Sequence, residues 1–171
     1  MLIRRETPAD VPSVHAVVTA AFAAPDVPDP AEAPLVGRLR ACAAWLPELS
    51  LVAVGDRGHV VGHVLCTRGH VDGTPALGLA PLAVDPGHQN RGVGSALVHA
   101  VLGAADALGE PLVAVLGSPA YYGRFGFRPS GESGIAPPEP GWAPHFQVRT
   151  LTGHAPAMQG TFRYAPPFDG L

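Results

Sequence analysis

Apolar residues follow two rhythms along this chain. They come in short runs at Leu2–Arg5, Leu49–Val54, His59–Cys66, Leu77–Val84 and Pro111–Leu116, the pattern that strands of a packed sheet make. Elsewhere they return every third or fourth residue, as one face of a helix requires. Val11, Val14, Val17, Val18 and Ala21 make the first such face. Ahead of it, Thr7-Pro8-Ala9-Asp10 joins an N-cap, a proline at the first helical position and an acid in the first turn, so a helix is predicted from Pro8. His15 lies beside that stripe as a solvated or packed side chain. Leu35, Leu39 and Cys42 predict a short second helix with all three buried. Leu97, Val98, Val101, Leu102 and Ala105 predict a third from Val93 to Leu108, with Gly109 where a C-terminal cap belongs.

The connections are written in turn residues. Gly55-Asp56-Arg57-Gly58 predicts a hairpin and His70-Val71-Asp72-Gly73 a second turn. Ala24 to Pro34 reads as a loop, broken by Pro25, Pro28, Pro30 and Pro34 and carrying Asp26, Asp29 and Glu32. The run at Pro111–Leu116 is apolar throughout, which suits a buried strand parallel to the preceding one across a helical crossover. Pro81 removes a ladder hydrogen bond from the strand ending at Val84, so a bulge or an end of pairing is expected there. Strand alternation puts His59, Val61 and His63 on one face. Two such histidines suit a metal, but no third ligand is set by spacing, and no metal site is assigned. From Pro129 the chain turns rich in Pro and Gly, with late strands predicted at Phe146–Val148 and Gly160–Tyr164.

Composition narrows the class. At 171 residues and 47% hydrophobic, the chain supports one core and one domain. A formal net charge of −3 offers no basic field for nucleic acid. Arg4, Arg5, Arg38, Arg40 and Arg57 are scattered, as ordinary solvated surface would have them. Cys42 and Cys66 lack a redox or scaffold spacing and read as reduced thiols of a cytoplasmic protein. No run reaches the ~20 apolar residues that span a bilayer, so no membrane partner is expected.

The candidate chemistry lies between Val84 and Ser95. An apolar strand, the turn Asp85-Pro86-Gly87 and the loop Gln89-Asn90-Arg91-Gly92-Val93-Gly94 lead into the third helix. Glycines let such a backbone lie close to a ligand, and the first helical N–H groups point outward without partners. Phosphate is the natural guest. A nucleoside-triphosphate loop would end in Gly-Lys-Ser/Thr, whereas Ser95-Ala96 follow Gly94. A dinucleotide fingerprint needs a third glycine where Leu97 stands.

Leu82-x-Val84-x-Pro86-x-x-Gln89-x-x-Gly92-x-Gly94 resembles the acetyl-coenzyme A signature of the GNAT superfamily of N-acetyltransferases. Tyr122-x-x-x-Gly126-Phe127 is similar to the second signature of that superfamily, about thirty residues on as expected. The resemblance covers Leu2 to Phe127 well, and the wording Gly-Ser-Pro-x-Tyr-Tyr-x-Arg-Phe-Gly-Phe is similar to a bacterial branch. It implies an α/β (α+β) fold: a mixed, mostly antiparallel central sheet flanked by helices, with the fourth and fifth strands parallel and splayed. Residues 1–171 would form one N-acetyltransferase domain, with a core at 2–129 and C-terminal strands and loops at 130–171.

The same resemblance implies acetyl transfer from acetyl-CoA, as co-substrate and without a metal, to an amine of a small molecule or peptide by direct attack in a ternary complex. Leu82, Ala83 and Val84 would meet the pantetheine arm. Gln89, Asn90, Arg91, Gly92, Val93, Gly94 and Ser95 would surround the diphosphate. Tyr122 would be the acid for the departing thiolate, and a backbone N–H near Leu82 or Ala83 the oxyanion donor. Many relatives carry a glutamate on the fourth strand, but Gly78 to Val84 hold no acid. Glu32, Asp26, His63 and His70 are left as candidate bases, and Trp142, His145 and His154 as candidate acceptor-side residues. The rival reading is a coenzyme A-binding sensor or interaction module without turnover. A homodimer is compatible with the sequence.

Overall fold

A computed structural model of the chain describes residues 1–169. Nine strands form it: β1 (Leu2–Arg5), β2 (Ser50–Val54), β3 (Val60–Val71), β4 (Thr74–Val84), β5 (Leu112–Leu116), β6 (Arg128–Pro129), β7 (Ile135–Ala136), β8 (Phe146–Thr150) and β9 (Gly160–Arg163). Four helices accompany them: α1 (Val11–Phe22), α2 (Glu32–Arg40), α3 (Val93–Ala107) and α4 (Pro119–Tyr122). The strands lie in the order β1-β2-β3-β4-β5-β8-β6, with β9 added to the far end of β3. All neighbours on this path are antiparallel except β4 and β5. The mixed, mostly antiparallel sheet with β4 and β5 parallel is as expected, and off this path β7 runs parallel to β9. Among the described residues no helix is long and apolar enough to cross a membrane.

Two layers of helix cover the sheet. On one face Leu97, Val98, Val101 and Leu102 of α3 pack against Leu51, Val64, Leu77 and Val113. On the other, Val14, Val17 and Val18 of α1 and Leu35 and Leu39 of α2 pack against Val52, Leu65 and Ala83. A third cluster joins the late strands, with Phe146 and Phe162 fully buried. The predicted starts and stops largely hold. Pro8–Asp10 make a turn of 3-10 helix that runs into α1, with the Thr7 N–H donating to the Asp10 carboxylate at 2.8 Å. Gly109 follows α3 with φ +76°, the left-handed cap position that glycine takes without strain.

Several expectations need correction. The second helix begins at Glu32 rather than after Pro34, because a proline in a first turn loses no helical hydrogen bond. It ends at Arg40, so Cys42 lies beyond it and is half-buried. The strand predicted to stop at Cys66 runs on to Val71, which leaves Asp72-Gly73 as the turn. His59, Val61 and His63 do not share a face. The register shifts where Val54 meets Val60 and Ala53 meets Gly62, and the extra residue sends Val61 to the α3 side and His63 under α1. Arg4 and Arg40 are not loose surface charges either. Arg4 clasps Asp10 through both terminal nitrogens at 2.6 and 2.8 Å. Arg40 bonds the buried Glu6 through Nε at 2.7 Å.

The expected irregularity at Pro81 is present. Val64 pairs with Leu82 and Cys66 with Leu79, so Ala80 and Pro81 together oppose the single residue Leu65. Just there β4 parts from β5. The two strands pair only at Leu77–Val113 and Gly78–Ala114, although β4 continues six residues further. Two glycines let the late chain lie on this region. A Cβ on Gly69 would stand 2.6 Å from the Phe162 ring, and one on Gly78 would stand 2.7 Å from the Tyr164 ring.

Candidate active site

The parting of β4 and β5 exposes backbone. Asp85 donates its N–H to Val61 on β3 at 2.9 Å, and Val84 turns its carbonyl outward to accept from Gln89 Nε2 at 3.1 Å. Alternation along the strand then directs Leu82 and Val84 into the gap and Ala83 toward β3. The Ala83 side chain is buried on the α1 face. Of the three strand residues expected at a ligand, Leu82 and Val84 face the gap and Ala83 does not.

Beyond Val84 the loop is built to present amides. Asp85 Oδ1 accepts from the Gly87 N–H at 2.9 Å and lies 3.0 Å from His88 Nδ1, which fixes the first turn. Asn90 at φ +58° and Gly92 at φ +82° then bring the chain round to the start of α3. No side chain caps that helix, and its first internal bond is Ala96 N–H to Gly92. The amides of Val93, Gly94 and Ser95 are therefore open, an arrangement suited to anions. A cleft of about 600 Å3 lies in front of them, walled by Leu82, Val84, Gln89, Asn90, Gly94 and Ser95. Arg91 lies in a neighbouring depression with His59 and His88, and the Val93 side chain is in the core.

Adjacent tyrosines serve adjacent spaces. Tyr121 borders the amide cleft, and its hydroxyl would stand 2.7 Å from a Cβ on Gly94. Tyr122 borders a second cavity of about 330 Å3 on the other side of the gap. Its ring lies so close over Gly117 that a Cβ there would come within 2.5 Å of it. Burial is the main force on the Tyr122 phenol and raises its pKa well above the ordinary value, with Tyr121 and Cys66 adding to the shift. The phenol is thus protonated throughout the physiological range. The two cavities share Phe22 and Leu82 in their walls, so they meet across the parted strands.

Of the four candidate bases, Glu32 alone lines this second cavity. His63 is fully buried beneath α1, where its Nε2 lies 3.0 Å from Ser50 Oγ and 3.3 Å from Glu6. Desolvation lowers its pKa, opposed in part by Glu6, and keeps the imidazole neutral. His70 pairs with Arg163 and Pro75 at the far end of β3. Asp26 sits in the short bridge between Ala24 and Val27, outside both cavities. Trp142 packs on the late-strand cluster and the backbone carbonyl of His145 accepts from the Gly117 N–H at 2.9 Å, which keeps both near the end of β5. His154 does not belong with them, since its segment bonds Leu151 and Asp106 beside the C-terminal end of α3. Among the described residues no three metal-binding side chains come together.

Two contributors had escaped the sequence reading. Arg124 is the one charged side chain lining the amide cleft among the described residues. Its guanidinium lies 4.6 Å from the Tyr121 ring centroid, and its Nε donates to the Tyr121 carbonyl at 3.2 Å. The i to i+3 spacing from Tyr121 was the available signal. Phe168, from the last turn of the described chain, walls the second cavity and stacks 4.8 Å from Tyr164. Nothing in its local sequence announces that role.

The pattern of the Acetyltransferase (GNAT) family matches residues 19–127. The chain is 36% identical over 157 residues to the uncharacterized N-acetyltransferase YhbS of Escherichia coli (strain K12), covering 91% of this chain and 90% of that protein. In structure it is similar to Escherichia coli YhbS in complex with CoA, with a TM-score of 0.88, 34% identity, and 98% of this chain and 91% of that one covered. It is also similar to a GNAT family acetyltransferase from Brucella melitensis in complex with acetyl-CoA, with a TM-score of 0.78, 30% identity, and coverage of 98% and 97%.

Proposed function

This chain belongs to the GNAT family of acetyltransferases, and from that premise we propose that it moves the acetyl group of acetyl-CoA directly onto an amine held in the second cavity. The observation that carries the reading is the gap between β4 and β5 with open helix-start amides at its mouth. The diphosphate takes the amides from Asn90 to Ser95, with Arg124 beside them as a charge partner. The pantetheine arm runs along the edge presented by Leu82 and Val84. That path leads the thioester to the place where the two cavities meet. The reading treats residues 1–171 as one domain in which the late chain completes the acceptor side.

The acceptor must lose one proton to expose its lone pair. Its nitrogen then attacks the thioester carbon, and the carbonyl oxygen takes the negative charge. The Leu82 N–H, turned into the gap, is the donor aimed at that oxygen. Collapse forms the amide and breaks the C–S bond. Tyr122 gives its proton to the departing sulfur and regains one from the new amide nitrogen. The sum is an ammonium and acetyl-CoA going to an acetamide, free CoA thiol and one proton. Between a phenol of pKa ~10 and a thiol of ~8.5, donation is uphill by about 2 kcal/mol. Burial that raises the phenol also raises the proton affinity of a thiolate desolvated beside it, which offsets part of the added cost.

Tyr122→Phe tests the assignment, with acetyl-CoA binding followed by calorimetry and turnover by thiol release. The expected result is a fall in kcat of at least about a hundredfold with acetyl-CoA affinity retained. Undiminished kcat would remove Tyr122 from the reaction. A wild type that binds acetyl-CoA and acetylates no amine would leave a binding module in place of an enzyme.

A further inference from the structure

Resting on the acetyltransferase reading, the walls of the second cavity narrow the acceptor. We infer that it is a small primary amine on an apolar skeleton, bearing no acidic group and no second charge, and that Glu32 receives its ammonium.

The cavity has about 330 Å3 and shares Leu82 with the cleft assigned to acetyl-CoA. Its size lies at the lower end for small-molecule sites. Phe22, Leu35, Leu79, Leu116 and Phe168 make its walls apolar. Among the described residues lining it, Glu32 is the one with a charge. Glu32 is the first residue of α2 and half-buried. No hydrogen bond or ion pair engages its carboxylate among the described residues, in contrast to Glu6, Asp10 and Glu110, each held by an arginine. The arginines of its own helix do not compensate it. Arg38 and Arg40 lie in the last turn of α2, and Arg40 is already bonded to Glu6.

An ammonium entering this space finds one counter-charge, and an apolar remainder finds apolar walls. A second cation within it would find no counter-charge among the described lining residues, against apolar walls that favour an uncharged group. An acceptor carboxylate or phosphate would face Glu32 with no cation to receive it. A peptide would set most of its backbone N–H and C=O groups against leucine and phenylalanine side chains, with only the backbone of Ala80, Pro81 and Gly117 and the Tyr122 hydroxyl to satisfy them. Glu32 and Tyr122 line the same cavity, so the group that orients the amine and the group that protonates the leaving sulfur border one space.

The experiment uses matched acceptors on the full chain. Phenethylamine, phenylalanine, spermidine and an alanine-led tetrapeptide are assayed by thiol release with saturating acetyl-CoA, and acetyl-CoA binding is measured on the same preparation. The expected kcat/KM for phenethylamine is at least a hundredfold above that for phenylalanine, which differs from it by one carboxylate, and above that for the other two. Glu32→Gln should raise the KM for phenethylamine at least tenfold and leave acetyl-CoA affinity unchanged. The inference is overturned if phenylalanine, spermidine or the peptide matches phenethylamine. It is overturned equally if phenethylamine is not acetylated by protein that binds acetyl-CoA, or if Glu32→Gln leaves its KM unaltered. Failure to bind acetyl-CoA at all would instead sink the acetyltransferase reading beneath it.

Discussion

Glu6 offers the sharpest test of how this fold is held together. Its side chain is only 4% exposed. It accepts from Ser50 Oγ at 2.5 Å and Arg40 Nε at 2.7 Å, and it lies 3.3 Å from His63 Nε2. Burial alone would raise its pKa. Hydrogen bonds from His63, Ser50 and Arg40 outweigh that and bring it from an ordinary 4.5 to about 2. A carboxylate depressed in the folded state contributes stability above its unfolded pKa and loses it as pH falls through the folded one. The drop from 4.5 to about 2 corresponds to about 3 kcal/mol at pH 7 and roughly half of that by pH 3. Glu6→Gln keeps the shape and removes the charge, leaving Arg40 beside a neutral amide. Urea unfolding followed by far-UV circular dichroism should therefore show the variant at least about 3 kcal/mol less stable at pH 7, with the difference roughly halved at pH 3. A loss below about 1 kcal/mol at pH 7, or a gap that stays constant down to pH 3, would refute the reasoning.

Two further outcomes follow from the site. Gly117→Ala would push a methyl group into the Tyr122 ring, so kcat should fall at least about tenfold while acetyl-CoA affinity holds; an unchanged kcat would mean that the ring position does not matter. Arg124→Ala should weaken acetyl-CoA binding about tenfold at low ionic strength, and the deficit should shrink as salt is added. Titration calorimetry at two salt concentrations checks this, and a loss independent of salt would argue against a charge contact.

The strand-loop-helix unit was legible because its signals are local. Glycines at 92 and 94, a proline at 81 and an apolar helix face each constrain their own neighbourhood, and the structure sets them where the pattern put them. The second helix and the histidine face were misjudged for reasons that local pattern does not carry. A proline two residues inside a helix start looks like a break, and a bulge opposite Val54 shifts every later side chain by one face. The polar cluster of Glu6, Arg40, Ser50 and His63 was illegible for another reason. Its members are up to 57 residues apart in the chain, and only the pairing of β2 with β3 and the seating of α2 bring them together. That Glu32 alone of the four candidate bases lines the second cavity likewise depends on where α2 docks.

Phe22 and Phe168 stand in the walls of one cavity, although nearly the whole chain separates them. During synthesis the amide loop emerges well before Phe168, so the second cavity gains this wall later than its others. That cavity is therefore complete only once Phe168 has packed back against the cluster formed by the first two helices.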